Sequence, residues 1–321
     1  MSEPVLLDVT RGALVESRHR GTLVLLDPAG AVSVALGDPD TVVYGRSTLK
    51  PLQAAAMLEC GWPGSVPSIA LAAASHDGED VHLSGVRETL RAGGLTEAAL
   101  GCPPDLPMGR AAMQAWVAAG GGPERVCHNC SGKHSAMVAT CLAAGWPVET
   151  YRELGSPLQQ AIRDHIAELA GTPVVATSVD GCGAPAHALP LVALAHAFAR
   201  IATAPAAAAE GRVAAAMQAH PRLVGGTGRA VSELLADVPG LVCKDGAEGV
   251  WAAALPDGRA FAVKVADGAG RALPPLLAGA LRHWGVGGEA VERWSAVPML
   301  GGGAPVGAIR WSTSLRSALS L

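Results

Sequence analysis

The chain has 321 residues, half of them hydrophobic and only 3% aromatic, and a net charge of −4. That length fits one large domain or two small ones, and the lack of any basic run excludes nucleic acid as an expected partner. The start, Met-Ser-Glu-Pro, has no basic residue followed by an apolar stretch, and the longest apolar region, 188–209, is broken by His196, Arg200 and Pro205, so neither a signal peptide nor a membrane span is expected.

In chain order, residues 21–36 read as two strands around the turn Asp27-Pro28-Ala29-Gly30. Residues 49–60 read as a helix stopped by Gly61, and 68–74 as a buried apolar element running into a polar loop at Ser75. Helices follow at 81–91, ending near Gly93-Gly94, and at 131–144, closed by Gly145. The clearest amphipathic helix is 156–170, with Leu158, Ile162, Ile166 and Leu169 at helical spacing. A short strand is expected at 174–179, and Ala-rich helices at 188–201 and 206–219. Residues 250–254 and 260–265 form a late hairpin across Pro256-Asp257-Gly258, and 271–284 a final long helix. Early strands, several helices and a late hairpin indicate an α+β fold with a mixed or antiparallel sheet flanked by helices. Residues 1–321 are expected to form a single catalytic unit in the cytoplasm, where seven cysteines need not pair.

Only four of the 24 basic residues are lysines, at positions 50, 133, 244 and 264. An ammonium can lose its proton when desolvated and a guanidinium cannot, so sites that need a titratable amine keep lysine. Three of the four lie in short motifs beside Ser, Cys or Gly: Ser47-Thr48-Leu49-Lys50, Cys130-Ser131-Gly132-Lys133-His134 and Ala262-Val263-Lys264-Val265-Ala266-Asp267-Gly268. If Ser47 opens a helix, Lys50 stands one turn on, on the same face, and Pro51 falls in the first turn where its missing N–H costs little. A neutral Lys50 there would accept the serine proton. An N-cap serine beside a solvated lysine is the plainer reading of that motif alone. The order Ser47-x-x-Lys50, then Ser75-His76-Asp77, then Lys264 with a nearby Gly is that of penicillin-recognising serine enzymes.

Gly132-Lys133 is not a phosphate-binding loop, since Cys127 and His134 occupy positions that such a loop gives to Gly and to Ser or Thr. Cys127-x-x-Cys130 has no second pair, which leaves an open metal site with few protein ligands, Cys182 being the nearest further thiol. Cys60, Cys102, Cys141 and Cys243 read as small buried hydrophobes. Gly225-Gly226-Thr227-Gly228-Arg229 reads as a plain loop, with a turn that brings Arg229 to a carboxylate as the alternative.

Taken together, the segments 46–54, 74–79, 128–134, 180–183 and 246–250, with Lys264, resemble the serine-dependent, rhizobial-type L-asparaginase II family over nearly the whole chain. The resemblance implies a serine β-lactamase/glutaminase-like fold and hydrolysis of L-asparagine to L-aspartate and ammonia. It implies two tandems, Ser47 with Lys50 and Ser75 with Lys264. It implies a zinc ion on Cys130, Lys133 and Cys182, modulatory rather than essential, with no organic cofactor. It places Arg46, His134 and Asp180 against the substrate's carboxylate and ammonium, and a homodimer is expected. Asp77 departs from the Ser or Asn often found in the family, and the cysteine that some members carry is replaced by Ala252. A glutaminase, a β-lactamase- or esterase-like Ser-Lys hydrolase and a non-catalytic amino-acid or zinc-binding protein are the alternatives.

Overall fold

A computed structural model describes residues 3–321. Eleven strands lie at Val5–Arg11 (β1), Leu14–Leu26 (β2), Val32–Leu36 (β3), Val42–Tyr44 (β4), Ala176–Val179 (β5), Pro185–Pro190 (β6), Val242–Gly246 (β7), Val250–Ala254 (β8), Ala260–Val265 (β9), Val297–Gly301 (β10) and Ala304–Trp311 (β11). The main sheet runs β10-β11-β1-β2-β9-β8-β7, with β3 also on β2, and every neighbouring pair is antiparallel. A small sheet has the order β4-β6-β5. The fold is α+β, an antiparallel sheet flanked by helices.

The sequence explains this layout locally. The first half of β2 is largely exposed and pairs with β1, whereas its second half, Gly-Thr-Leu-Val-Leu-Leu, is buried between β9 and β3. Every residue of β8 is buried, so both faces of the sheet are covered there. The helices Leu191–Thr203 and Leu273–His283 both pack on β8 and β9. One apolar cluster built mainly from Ala, Leu and Val extends from Leu6 to Leu319. Such a core packs through many small contacts rather than a few aromatic anchors.

Most expected elements are present. The hairpin across residues 27–30 forms with Leu23 opposite Leu36, and β8 and β9 form the late hairpin with Ala254 opposite Ala260. The helix Ser131–Ala144 ends at Gly145, whose φ of 69° is left-handed, as a C-capping glycine requires. The helix Pro157–Ala170 starts from Ser156, whose side chain accepts from the Gln159 N–H, and it buries the four expected apolar residues. The expected element 68–74 is a helix, Val66–Ala72, capped by Ser65.

Other expectations are corrected. Residues 185–190 are a strand, not the start of a helix: Ala188 pairs with Tyr44 and Ala176, and the helix begins only after Pro190. Helix 271–284 is not the last element, because the helix Glu289–Trp294, β10, β11 and the helix Thr313–Leu319 follow. Among the described residues, no helix is long and apolar enough to cross a membrane.

Candidate active site

Ser47 does not open the α-helix directly. It lies in a tight 3-10 turn, Arg46–Leu49, that continues into the helix Lys50–Glu59, with Pro51 in the first helical turn. The turn is held from both sides. Gly45 N donates to His187 O of β6, and Thr48 Oγ1 donates to Gly45 O. Arg46 takes a positive φ of 51°, an uncommon conformation for a residue with a side chain and one found where surrounding structure imposes it. Its guanidinium pairs with Asp180 at 2.9 Å, which ties the serine turn to the loop carrying Cys182. Ser47 is partly exposed, and its hydroxyl makes no protein hydrogen bond among the described residues.

Lys50 is fully enclosed, and its ammonium nitrogen donates to Ala74 O at 2.5 Å and to Ser75 Oγ at 3.0 Å. No carboxylate lies within ion-pairing distance of it among the described residues. The structure therefore brings Lys50 to Ser75 and places Ser47 one turn before that lysine. The Ser75 loop is anchored at each residue: Ser75 N donates to Val224 O, His76 N to Asn129 O and Asp77 N to Gly225 O. His76 is buried, and burial together with the nearby His82 lowers its pKa well below the usual imidazole value. Its Nδ1 accepts from Gly78 N, so its Nε2 carries the hydrogen and donates to Ser131 Oγ.

The expected pairing of Ser75 with Lys264 is absent. Lys264 sits on β9 opposite Val250, and its amine donates to Glu248 O and Val265 O instead. The lysine that the sequence reading left without a role, Lys244, is the one inside. It is buried on β7, and that strand packs on the serine turn so closely that a Cβ at Gly246 would meet Gly45 and Thr48 at 3.2 Å. Burial pushes Lys244 down to about 8 against the opposing pull of Asp245, and the charge of Lys50 adds to the fall. Lys244 donates to Asp245 Oδ1 at 2.5 Å and Asp245 O at 2.6 Å. Asp245, paired also with Arg229, is held down to about 2 although burial alone would raise it. The available signal for Lys244 was its context: Leu241-Val242-Cys243 before it and an Asp-Gly after it.

A second cluster adjoins the Arg46–Asp180 pair. Lys133 Nζ lies 3.2 Å from Cys182 Sγ and is buried. Hydrogen bonding from Cys130 holds the Cys182 thiol far below its ordinary value, while Cys130 is raised by the same contact and by burial. Burial would lower Lys133, but the sulfur charges and Asp180 raise it overall. His134 Nδ1 meets the Tyr151 hydroxyl at 2.5 Å, and burial lowers its pKa to about 4. Among the described residues its buried Nε2 has no hydrogen-bond partner of ordinary geometry, and the Cys182 sulfur is the group that acts on it. Among the described residues, no group of three or more His, Cys, Asp or Glu side chains converges as a metal site. The candidate donor set is instead two thiols and an amine, with the His134 nitrogen beside them. A soft divalent ion suits such sulfur and nitrogen donors, and its binding would displace the protons on Cys130 and Lys133. Of two surface cavities, one of about 770 Å³ lies away from these residues and one of about 830 Å³ borders Asp77 and Gly78 of the Ser75 loop, and neither is lined by Ser47, Lys50, Ser75 or Lys244.

The α+β fold thus frames a candidate site of serines and buried lysines. Residues 7–311 match the model of the L-asparaginase II family, and the chain belongs to that family. No curated protein matches the chain. Solved structures similar to it include Mglu in its native form, at 18% identity and a TM-score of 0.44, covering 77% of this chain and 59% of that one. Mglu in its tris and glutamate form is similar at 18% identity and a TM-score of 0.45, covering 86% and 61%. A β-lactamase from Mycobacterium bovis is similar at 15% identity and a TM-score of 0.36, covering 82% and 94%. The chain thus spans about three fifths of the Mglu chain's length.

Proposed function

We propose that the chain hydrolyses the side-chain amide of L-asparagine through an acyl-enzyme on Ser47. The observation that carries this reading is the buried contact of Lys50 Nζ with Ser75 Oγ at 3.0 Å, one helical turn beyond the open Ser47 hydroxyl. Ser47 Oγ attacks the amide carbon, and its proton passes to the Lys50 side of the cluster. The Lys50–Ser75 contact hands that proton to the leaving nitrogen, which departs as ammonia. Water then attacks the ester carbonyl by the same route in reverse and releases aspartate.

Lys244 serves here in the place that the sequence reading gave to Lys264. Burial, with the charge of Lys50 adding to it, pushes Lys244 down to about 8, so Lys244 is the amine that can become a free base near neutral pH. Arg46, Asp180 and His134 face the substrate's charged groups, the Arg46–Asp180 pair opening to a carboxylate and an ammonium. Cys130, Lys133 and Cys182 would hold zinc, whose positive charge would help to orient a bound carboxylate. Specificity for asparagine over glutamine rests on a single methylene, worth about 1–3 kcal/mol in a fitted pocket.

Ammonia release tests the reading, with L-asparagine and L-glutamine as substrates and Ser47→Ala alongside wild type. Release from asparagine that the substitution abolishes is the expected result. No release from wild type, with or without added zinc, refutes it.

A further inference from the structure

We propose that Arg229 is a positioning residue that joins the Ser75 loop to Lys244 through Asp77 and Asp245. The inference rests on the functional reading above. The geometry is an unbroken chain of charge. Arg229 Nη1 donates to Asp77 Oδ1 at 2.6 Å and Nη2 to Asp245 Oδ2 at 2.8 Å, and the other oxygen of Asp245 receives Lys244. A guanidinium presents its donors in a fixed fork, so one arm cannot shift without moving the other.

The two ends of the chain are the two halves of the site. Asp77 lies two residues after Ser75 on a loop tied to Val224 and Gly225. Lys244 and Asp245 lie on β7, which packs on the turn that carries Ser47. Arg229 is therefore the side chain through which the segment of one serine meets the strand beside the other. The glycine-rich segment before it makes this approach feasible. A Cβ at Gly226 would lie 2.7 Å from Asp77 Oδ2, and the φ of 143° there is one that side chains rarely adopt. The segment first read as a plain loop thus brings Arg229 to a carboxylate.

The chain is not an ordinary surface ion pair. Lys244 is fully buried, and the Asp77 side chain is only 11% exposed. The four charges balance, two cations against two carboxylates. Removing Arg229 leaves Asp77 and Asp245 without their shared cation, and an Asp245 freed of that arm no longer holds Lys244 at its set position.

The test combines kinetics with a readout that needs no turnover. With only four lysines in the chain, lysine ¹³Cε NMR resolves each side chain, and Lys244→Met assigns the Lys244 signal. Arg229→Gln should lower kcat for asparagine by about 10²-fold, the scale of a misplacement near 1 Å, with KM changed less than about threefold. Asp77→Ser, which keeps the Asp245 arm, should lower kcat by a smaller factor and still move the Lys244 signal. The double variant should be no slower than Arg229→Gln alone. A folded Arg229→Gln with wild-type kcat and an unmoved Lys244 signal overturns the proposal, as do multiplicative losses in the double variant. If Arg229→Gln does not fold, Asp77→Ser decides: an unchanged kcat and Lys244 signal overturns it. Absence of hydrolysis by wild type refutes the functional reading instead, and the NMR shift then decides the coupling alone.

Discussion

The buried lysine pair predicts the shape of the pH profile. Lys244 is pushed down to about 8, chiefly by burial and in part by Lys50, against the pull of Asp245. Below that pH Lys244 holds its proton and offers no base; above it, Lys244 is free to accept one. The rate should therefore rise with pH as Lys244 deprotonates. The neutral fraction of a group with that pKa is about one tenth at pH 7 and about nine tenths at pH 9, so kcat/KM should rise roughly tenfold over that interval. Asp245 favours the charged lysine, so Asp245→Asn should move the inflection to lower pH. Lys244→Arg keeps the charge but offers no neutral amine, and it should lose on the order of 10²–10⁴-fold in kcat across the whole range. Ammonia release from pH 6 to 10 by the three proteins is the assay. A flat wild-type profile, an alkaline move in Asp245→Asn, or full activity in Lys244→Arg would each refute the reasoning.

Other substitutions separate chemistry from stability. Lys50→Met removes two buried hydrogen bonds but also a buried charge, so it should change unfolding free energy by no more than about 1–3 kcal/mol while kcat falls at least about 10²-fold; chemical denaturation and turnover measured together check this. Cys182→Ser should weaken zinc binding by on the order of 10²-fold, read by calorimetric titration and metal analysis after dialysis. Gly145→Ala meets open space but a φ of 69°, so it should cost about 1 kcal/mol in urea unfolding and leave kcat unchanged.

What could be read from the sequence was local. Ser156 and Gly171 bracket an amphipathic helix, and Gly145 ends another, because capping chemistry is written within a few residues of the elements it closes. The hairpin of β8 and β9 was legible for the same reason. The pairing of β1 with β11, which sets Leu7 opposite Trp311, joins the two ends of the chain and leaves no local mark. β7 was missed because Lys244 and Asp245 interrupt its apolar pattern, yet Lys244 is buried and Asp245 half-buried against it rather than exposed. The same feature hid the second site lysine. Both lysines have a Gly nearby in sequence, Gly268 after Lys264 and Gly246 after Lys244, so spacing does not choose between them; the packing of β7 on the serine turn, a non-local contact, does. That Ser47 and Lys50 stand one turn apart was legible because their spacing is local. That Lys50 would grip Ser75 required the fold.

The claim on which the account turns is that Ser47 carries the acyl group. Acid-quenching the wild-type enzyme within its first turnovers of L-asparagine, followed by peptide mass spectrometry, measures this directly. The account predicts a mass increase of one aspartyl group on the peptide containing Ser47, absent in Ser47→Ala. The same increase on the peptide containing Ser75, with Ser47 unmodified, would contradict it.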